Sequence, residues 1–485
     1  MRATTWGARI SGPRIRGWRK TFHGDVPPVD PPPLEDHTPP EYDPDGSWKG
    51  LAGRGQTQWY DTVGAGVGGP TQIARIPMEA NNINTAEGVY NWTSEDAQVE
   101  AALDNGIVCL IGIYYVAKWT TNPAWTDKRV PSDPEDYDAW MDTWISTFAE
   151  KVFNRYHKDG NAKASFINAS NYVEFYEIWN EPNWGIFWQE GPQSGSPSQY
   201  GPLVADKYAE LLKRTYIAAK TISTDIKIGN GGMAVLALSY GNGARIKSWL
   251  WIEDMFAYWS DPANHHGLTE AEGGWHPYLA LDFICTHSYW YGRPGASSTY
   301  TAIWGHNKDV ISNSFANDLP MIHNVAVDHG GAGLKIWITE CGFPTHQTAV
   351  TGYGVRRGTP PTSANDERKF LSPTESYNEL RGQMRVSAGT NSWPTGTTIA
   401  KWAFDGTNNR GHLRSGPVFY FSVQDFDQTP DEGTGGFYEI PFPHEEHMGL
   451  YDKDGTPKTG YNNAPGVAKG WPTGVKTKYD AYWGY

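Results

Sequence analysis

The chain has 485 residues, 40 Lys and Arg against 54 Asp and Glu, and a formal charge of −14. That balance argues against nucleic acid, whose phosphates are neutralised by Lys and Arg, and no run of about 18 apolar residues is present to cross a membrane. Three cysteines (Cys109, Cys285, Cys341) without a CxxC spacing exclude a disulfide framework and a structural zinc site, and no metal or other cofactor is expected. The 23 Trp, 27 Tyr and 17 Phe are the unusual numbers. They serve either a large core or a surface that stacks flat apolar faces such as sugar rings.

Residues 1–20 carry six basic and no acidic side chains and lack the apolar stretch of a secretory signal peptide. Residues 25–46 then hold eight Pro and seven acidic residues, the composition of an extended, polyproline-like arm. Residues 1–46 are therefore read as a tether that docks on a partner protein or a virion-like particle, which implies an extracellular or particle-associated location. A linker or a misplaced start codon is the rival reading.

From about residue 50 short β-rich runs alternate with helical patterns. Strands are predicted at 72–77, 106–115, 173–181, 226–230, 281–290, 334–340 and 398–404, and a first strand must come from 47–54. Helices are predicted from Ser94 to Asn105, from Pro134 to Tyr156, at 202–222, 244–259 and 315–329, and from Pro373 to Ala388. Asp133 caps the second, in which Trp140, Trp144, Phe148 and Phe153 fall near helical spacing. Ser372 to Glu375 is a capping box with Pro at the first helical position. This alternation implies a parallel sheet, closed as a barrel or left open and doubly wound. No GxGxxG follows a strand, so the fold expected is α/β, a (β/α)8 barrel over residues 47–465 with a short tail at 466–485. "MGLYDKDGTPKTGY" (448–461) reads as a strand, a turn and the start of that tail.

Active sites of such barrels lie at the carboxyl ends of the strands. The predicted ends are Arg75, Asn180 with Glu181, His287 with Tyr289, Glu340 and Trp402. Strand alternation predicts that 283, 285, 287 and 289 point inward, as do 336, 338 and 340. Glu177 shares the parity of Glu181 and is an available partner for Arg75. Trp119, Trp184 and Trp290 follow strand ends and serve either as stacking platforms or as loop packing. Glu181 and Glu340 end strongly apolar strands, and two such carboxylates are what glycoside hydrolysis requires.

"YEIWNEPNW" (176–184) together with "WITECGFPT" (337–345) resembles clan A of the glycoside hydrolases, retaining (β/α)8 enzymes in which Asn-Glu ends strand four and a second Glu ends strand seven. "IARIP", "ICTHSYWYG", "IAKWAFDG" and "GLYDKDGTPK" resemble it in order and spacing, and residues 87–115 are similar to β-xylosidase-like (family 39) and cellulase-like (family 5) members. The resemblance spans about residues 55–465. It implies Glu181 as acid/base, Glu340 as nucleophile, Asn180 on the sugar 2-OH and Arg75 holding Glu340 ionised. Tyr289 would donate to Glu340, His287 would line the sugar site and Trp402 would form its floor. The expected activity is retaining hydrolysis of a polysaccharide or oligosaccharide. The alternative is a structural or carbohydrate-binding component of a larger assembly that uses the barrel for attachment.

Overall fold

A computed structural model describes residues 49–52, 73–121, 126–190, 203–234, 246–264, 280–287, 315–331, 334–341 and 415–421. Eight strands are β1 (Lys49–Ala52), β2 (Ile73–Glu79), β3 (Val108–Tyr114), β4 (Phe175–Asn180), β5 (Lys227–Ala234), β6 (Ile284–His287), β7 (Ile336–Cys341) and β8 (Ser415–Phe421). Each pairs in parallel with its neighbours in chain order, and β8 closes on β1. The open, doubly wound alternative is thereby excluded. The longer described helices of the connections are α1 (Thr93–Asp104), α2 (Pro134–Trp144), α3 (Glu150–Tyr156), α4 (Ala205–Ile222), α5 (Ser248–Ser260) and α6 (Phe315–Asp328). None is long and apolar enough to cross a membrane.

Seven of the eight strands overlap predicted ones, β1 where the barrel requires a first strand and the others at β-rich runs, since a strand covered on both faces reads as a continuous apolar run. β3 (VCLIGIY) is such a run, buried from Cys109 onward. The eighth differs. The run at 398–404, the helix from Pro373, the strand at 448–461, the arm and the tail all lie outside the described residues, and the barrel closes through SGPVFYF instead. Pro417 argues against a central strand, since it cannot donate to a ladder. It is tolerated because the pairing with β7 jumps there, from Ile336 opposite Ser415 to Ile338 opposite Val418.

Asp133 caps α2 by accepting from the Glu135 and Asp136 amides, with Pro134 in the first turn. Between α2 and α3 the residues Ile145–Ala149 form a π-helical turn. The aromatic spacing accounts for it. Trp140, Trp144 and Phe148 follow at steps of four and stay in ring contact, whereas Phe153 comes after a step of five and reaches Tyr176 instead. Inside the barrel, Ala52, Ile73, Leu110, Phe175, Phe283, Cys285, Trp337 and Phe419 form the apolar plug, with Phe283 stacked on Trp337 at 4.1 Å. The chemistry stands on this plug.

Candidate active site

Directly above the plug lies a layer of polar side chains. Arg75, expected at a strand end, sits in the middle of β2 because that strand continues to Glu79. Its guanidinium makes three side-chain hydrogen bonds among the described residues. Nε donates to Glu177 Oε2 at 2.5 Å, Nη2 donates to Asn180 Oδ1 at 2.9 Å, and Nη1 donates to Glu340 Oε1. Glu177, which is fully buried, accepts from three further groups. These are the Gly232 amide (2.5 Å) and the Thr339 hydroxyl (3.1 Å) on Oε1, and the Tyr114 hydroxyl (3.2 Å) on Oε2.

Two backbone irregularities bring the remaining groups to the mouth. In β7 alternation turns Trp337 and Thr339 inward, not 336 and 338 as expected, and by alternation alone Glu340 would then face away. An extra residue in β7 corrects this. Thr286 pairs with Ile338 but His287 pairs with Glu340, and on the other side Ile338 and Cys341 pair with Val418 and Tyr420. The bulge presents both Thr339 and Glu340 to the interior.

At the end of β4, Trp179 (φ 75°) and Glu181 (φ 45°) take left-handed conformations. Trp179 swings out among Tyr115, Trp140, Trp144 and Trp188, and its indole donates to the Phe187 carbonyl at 2.8 Å. Asn180 and Glu181, consecutive in sequence, thereby both reach the site. The Tyr208 hydroxyl from α4 bridges the ladder there, donating to the Ile178 carbonyl and accepting from the Gly231 amide, each at 2.6 Å. Such conformations cost roughly 1–3 kcal/mol each and persist only where packing over-determines them.

His287 stands between the two outer carboxylates. Nδ1 lies 2.8 Å from Glu181 Oε1 and 3.5 Å from Glu340 Oε2, while Nε2 has no hydrogen-bond partner among the described residues. Burial pushes this imidazole down to about 3, with Glu340 opposing and Arg75 reinforcing the shift, so the ring is neutral at ordinary pH. A neutral ring carries one N–H, so a proton at Nδ1 binds an ionised Glu181 and a bare Nδ1 binds a protonated one. Burial also works against the Arg75 charge, but Glu177, Tyr114 and Glu340 outweigh it and hold the guanidinium well above its ordinary value. For Glu177, burial pushes the carboxyl up while Arg75 and the Gly232 amide pull it down, and the net direction is upward.

One ligating atom each from Glu181, His287 and Glu340 lie within 4.8 Å of one another. Arg75 already pairs with Glu340, and its fixed positive charge disfavours a cation among these three atoms.

Arg75, Asn180, Glu181, His287 and Glu340 thus come together. Tyr289, Trp290 and Trp402 lie outside the described residues. Trp119 is half-buried, with its indole donating to Asn84 Oδ1 at 3.1 Å, and Trp184 is half-buried against Phe187. Sequence reasoning did not single out Tyr114, Gly232 or Thr339. Tyr114 and Thr339 sit within apolar runs that read only as core. Gly232 ends the GNGG run, a signal of close approach that marks where His287 must fit.

No family model matches the chain. Solved structures similar to it include a family 39 glycoside hydrolase from Bacteroides cellulosilyticus WH2, at 16% identity and a TM-score of 0.44 over 86% of this chain and 63% of that one. A beta-galactosidase from Marinomonas ef1 aligns at 10% identity and a TM-score of 0.45, over 90% and 59%. Xylanase 10B from Thermotoga maritima aligns at 12% identity and a TM-score of 0.42, over 90% and 95%. The chain therefore spans about three fifths of the length of the first two. All three are glycoside-cleaving enzymes by name, the class that the motifs resemble. The closed barrel itself stands on the strand pairing.

Proposed function

We propose that this protein is a retaining β-glycoside hydrolase acting on a polysaccharide or oligosaccharide. The observation that carries the reading is that Glu181 and Glu340, on different strands, bring carboxylate oxygens within 4.8 Å of each other. Retaining enzymes hold their carboxyl groups about 5–5.5 Å apart, and inverting ones about 6.5–9.5 Å. The surroundings of the two differ in the direction that double displacement needs. Glu340 accepts from the Arg75 guanidinium, which favours the anion and suits a nucleophile. Glu181 faces a neutral imidazole with which it can share a proton, which suits an acid that later becomes a base.

In the first step Glu340 attacks the anomeric carbon and forms the glycosyl-enzyme as Glu181 protonates the departing oxygen. In the second step the now ionised Glu181 takes a proton from water as the water oxygen bonds to the anomeric carbon, the ester bond breaks and Glu340 leaves as the carboxylate. Asn180 spends its amide oxygen on Arg75, which leaves its N–H groups for a sugar hydroxyl. Trp402 supplies the stacking floor and Tyr289 a donor to Glu340, with Trp119, Trp184 and Trp290 as further platforms.

The test is proton NMR of the first-formed product from an aryl β-glycoside and glycan panel. Wild type should release the β-anomer first, and Glu340→Gln should lose essentially all turnover while remaining folded. An α-anomer, or a fully active Glu340→Gln protein, would overturn the reading.

A further inference from the structure

Double displacement at Glu181 and Glu340 leaves a third carboxylate unused. Glu177 lies on β4 four residues before Glu181, out of reach of solvent, and accepts from four donors among the described residues. An apolar plug lies beneath it and the reacting groups lie above it. A carboxylate in such a place costs a great deal unless it is paired, and its ionic partner is the same guanidinium that holds Glu340.

We infer that Glu177 is a positioning residue that, through Arg75, sets the ionisation of Glu340. The inference rests on the retaining reading for its kinetic part and on geometry alone for its electrostatic part. Arg75 divides one positive charge between a carboxylate below and a carboxylate above. Glu177 therefore has two effects on Glu340. It anchors Nε, which aims Nη1 at Glu340 and Nη2 at Asn180. It also neutralises part of the guanidinium charge, so Glu340 is held as an anion without being bound so strongly that it loses nucleophilicity. During the reaction, when Glu340 is esterified and its charge disappears, Glu177 remains as the counter-ion that keeps Arg75 in place.

The titratable and charged groups that face this pair among the described residues enter the balance. Arg75 comes from β2, Tyr114 from β3, Glu181 from the end of β4, Cys285 and His287 from β6, and Glu340 from β7. The Cys285 thiol and the Tyr114 phenol are pushed well up by burial and stay neutral, and the imidazole is neutral as well. Among the described residues Arg75 is thus the cation shared by Glu177 and Glu340, and Glu177 is the more deeply buried of the two. His287 Nε2 lies 4.0 Å from Glu177 Oε1 and responds to the same charge.

The test uses Glu177→Gln and Tyr114→Phe in the full chain, each read in two ways. One readout is the acid limb of kcat/KM against an aryl glycoside. The other is the carboxyl 13C titration of Glu340, assigned by difference from Glu340→Gln, which needs no turnover. Removing the Glu177 charge releases Arg75 to Glu340, so the acid limb and the titration should both move down by about one pH unit, with kcat falling at least tenfold. Tyr114→Phe removes one donor from Glu177 and strengthens its hold on Arg75, so both should move up by a few tenths of a unit. Opposite displacements support the inference. A folded Glu177→Gln protein with reduced kcat but an unmoved limb and titration would make Glu177 merely structural and overturn it. Should Glu177→Gln fail to fold, an unmoved or downward titration in Tyr114→Phe overturns it. A wild type that turns over no glycoside defeats the retaining reading, and the titration still decides the coupling.

Discussion

Glu177 and Glu181 lie four residues apart on one strand, yet their neighbours assign them different work. Among the described residues four donors converge on Glu177, whereas Glu181 is hydrogen-bonded to a neutral imidazole. The first arrangement sets charge and donors against the burial that raises Glu177, and the second permits a proton to come and go. Glu181→Gln should accordingly lose activity by the leaving group's need for a proton. Substrates with phenolate leaving groups of low pKa should keep their glycosylation rate within about tenfold of wild type, while alkyl glycosides should lose on the order of 10²–10⁴. The check is a plot of rate against leaving-group pKa, and a uniform loss across it would remove the acid/base assignment. The identity and spacing of these carboxylates are visible in "YEIWNEPNW". Which one is buried among donors is not, because those donors come from β2, β3, β5 and β7.

At the scale of the element, strand ends β4 and β7 both depart from ideal geometry, and in both the departure delivers a functional side chain. Regular alternation would send Trp179 inward and Glu340 outward. The left-handed turn at Trp179 and the extra residue of β7 reverse each of these. The space they need comes from glycine on β5. A Cβ at Gly232 would fall 2.0 Å from His287 Nε2 and 2.6 Å from Thr339 Oγ1. Gly232→Ala should therefore destabilise the protein by about 1–3 kcal/mol and displace His287 from Glu181. Denaturant midpoints and a crystal structure of the variant check this, and an unmoved imidazole would show that the layer has slack. The strands themselves were legible from their apolar runs. The bulge was not, since nothing in "LKIWITEC" distinguishes a seven-rung strand from one with an inserted residue.

At the scale of the molecule, a buried neutral histidine ties stability to pH. In the unfolded chain His287 titrates near its ordinary value of about 6.5, and in the folded chain near about 3. Between those values the unfolded state binds a proton that the folded state refuses, so stability falls as pH drops from about 6.5 toward about 3, and His287 contributes no slope above that window. Glu177, raised by burial, contributes the opposite slope above its ordinary value. The two separate in a difference measurement. Thermal melts of wild type and His287→Asn should converge as pH is lowered from 6.5 to 4.5, and parallel curves would contradict the burial of a neutral ring.

Alternation of apolar runs with helical patterns determined the α/β class, the parallel sheet and the placing of Asn180, Glu181, His287 and Glu340 at strand ends. That much is local, because side-chain period and capping chemistry are properties of a few consecutive residues. Only the tertiary structure decided that the eighth strand is Ser415–Phe421 with Pro417 at a register jump, that Arg75 sits mid-strand above the apolar plug, and that Thr339 and Glu340 face the same way. A bulge, a left-handed residue or a shared guanidinium is unfavourable on its own segment. Each exists because contacts from strands and helices far along the chain outweigh its local cost, and those contacts have no signature in the segment itself.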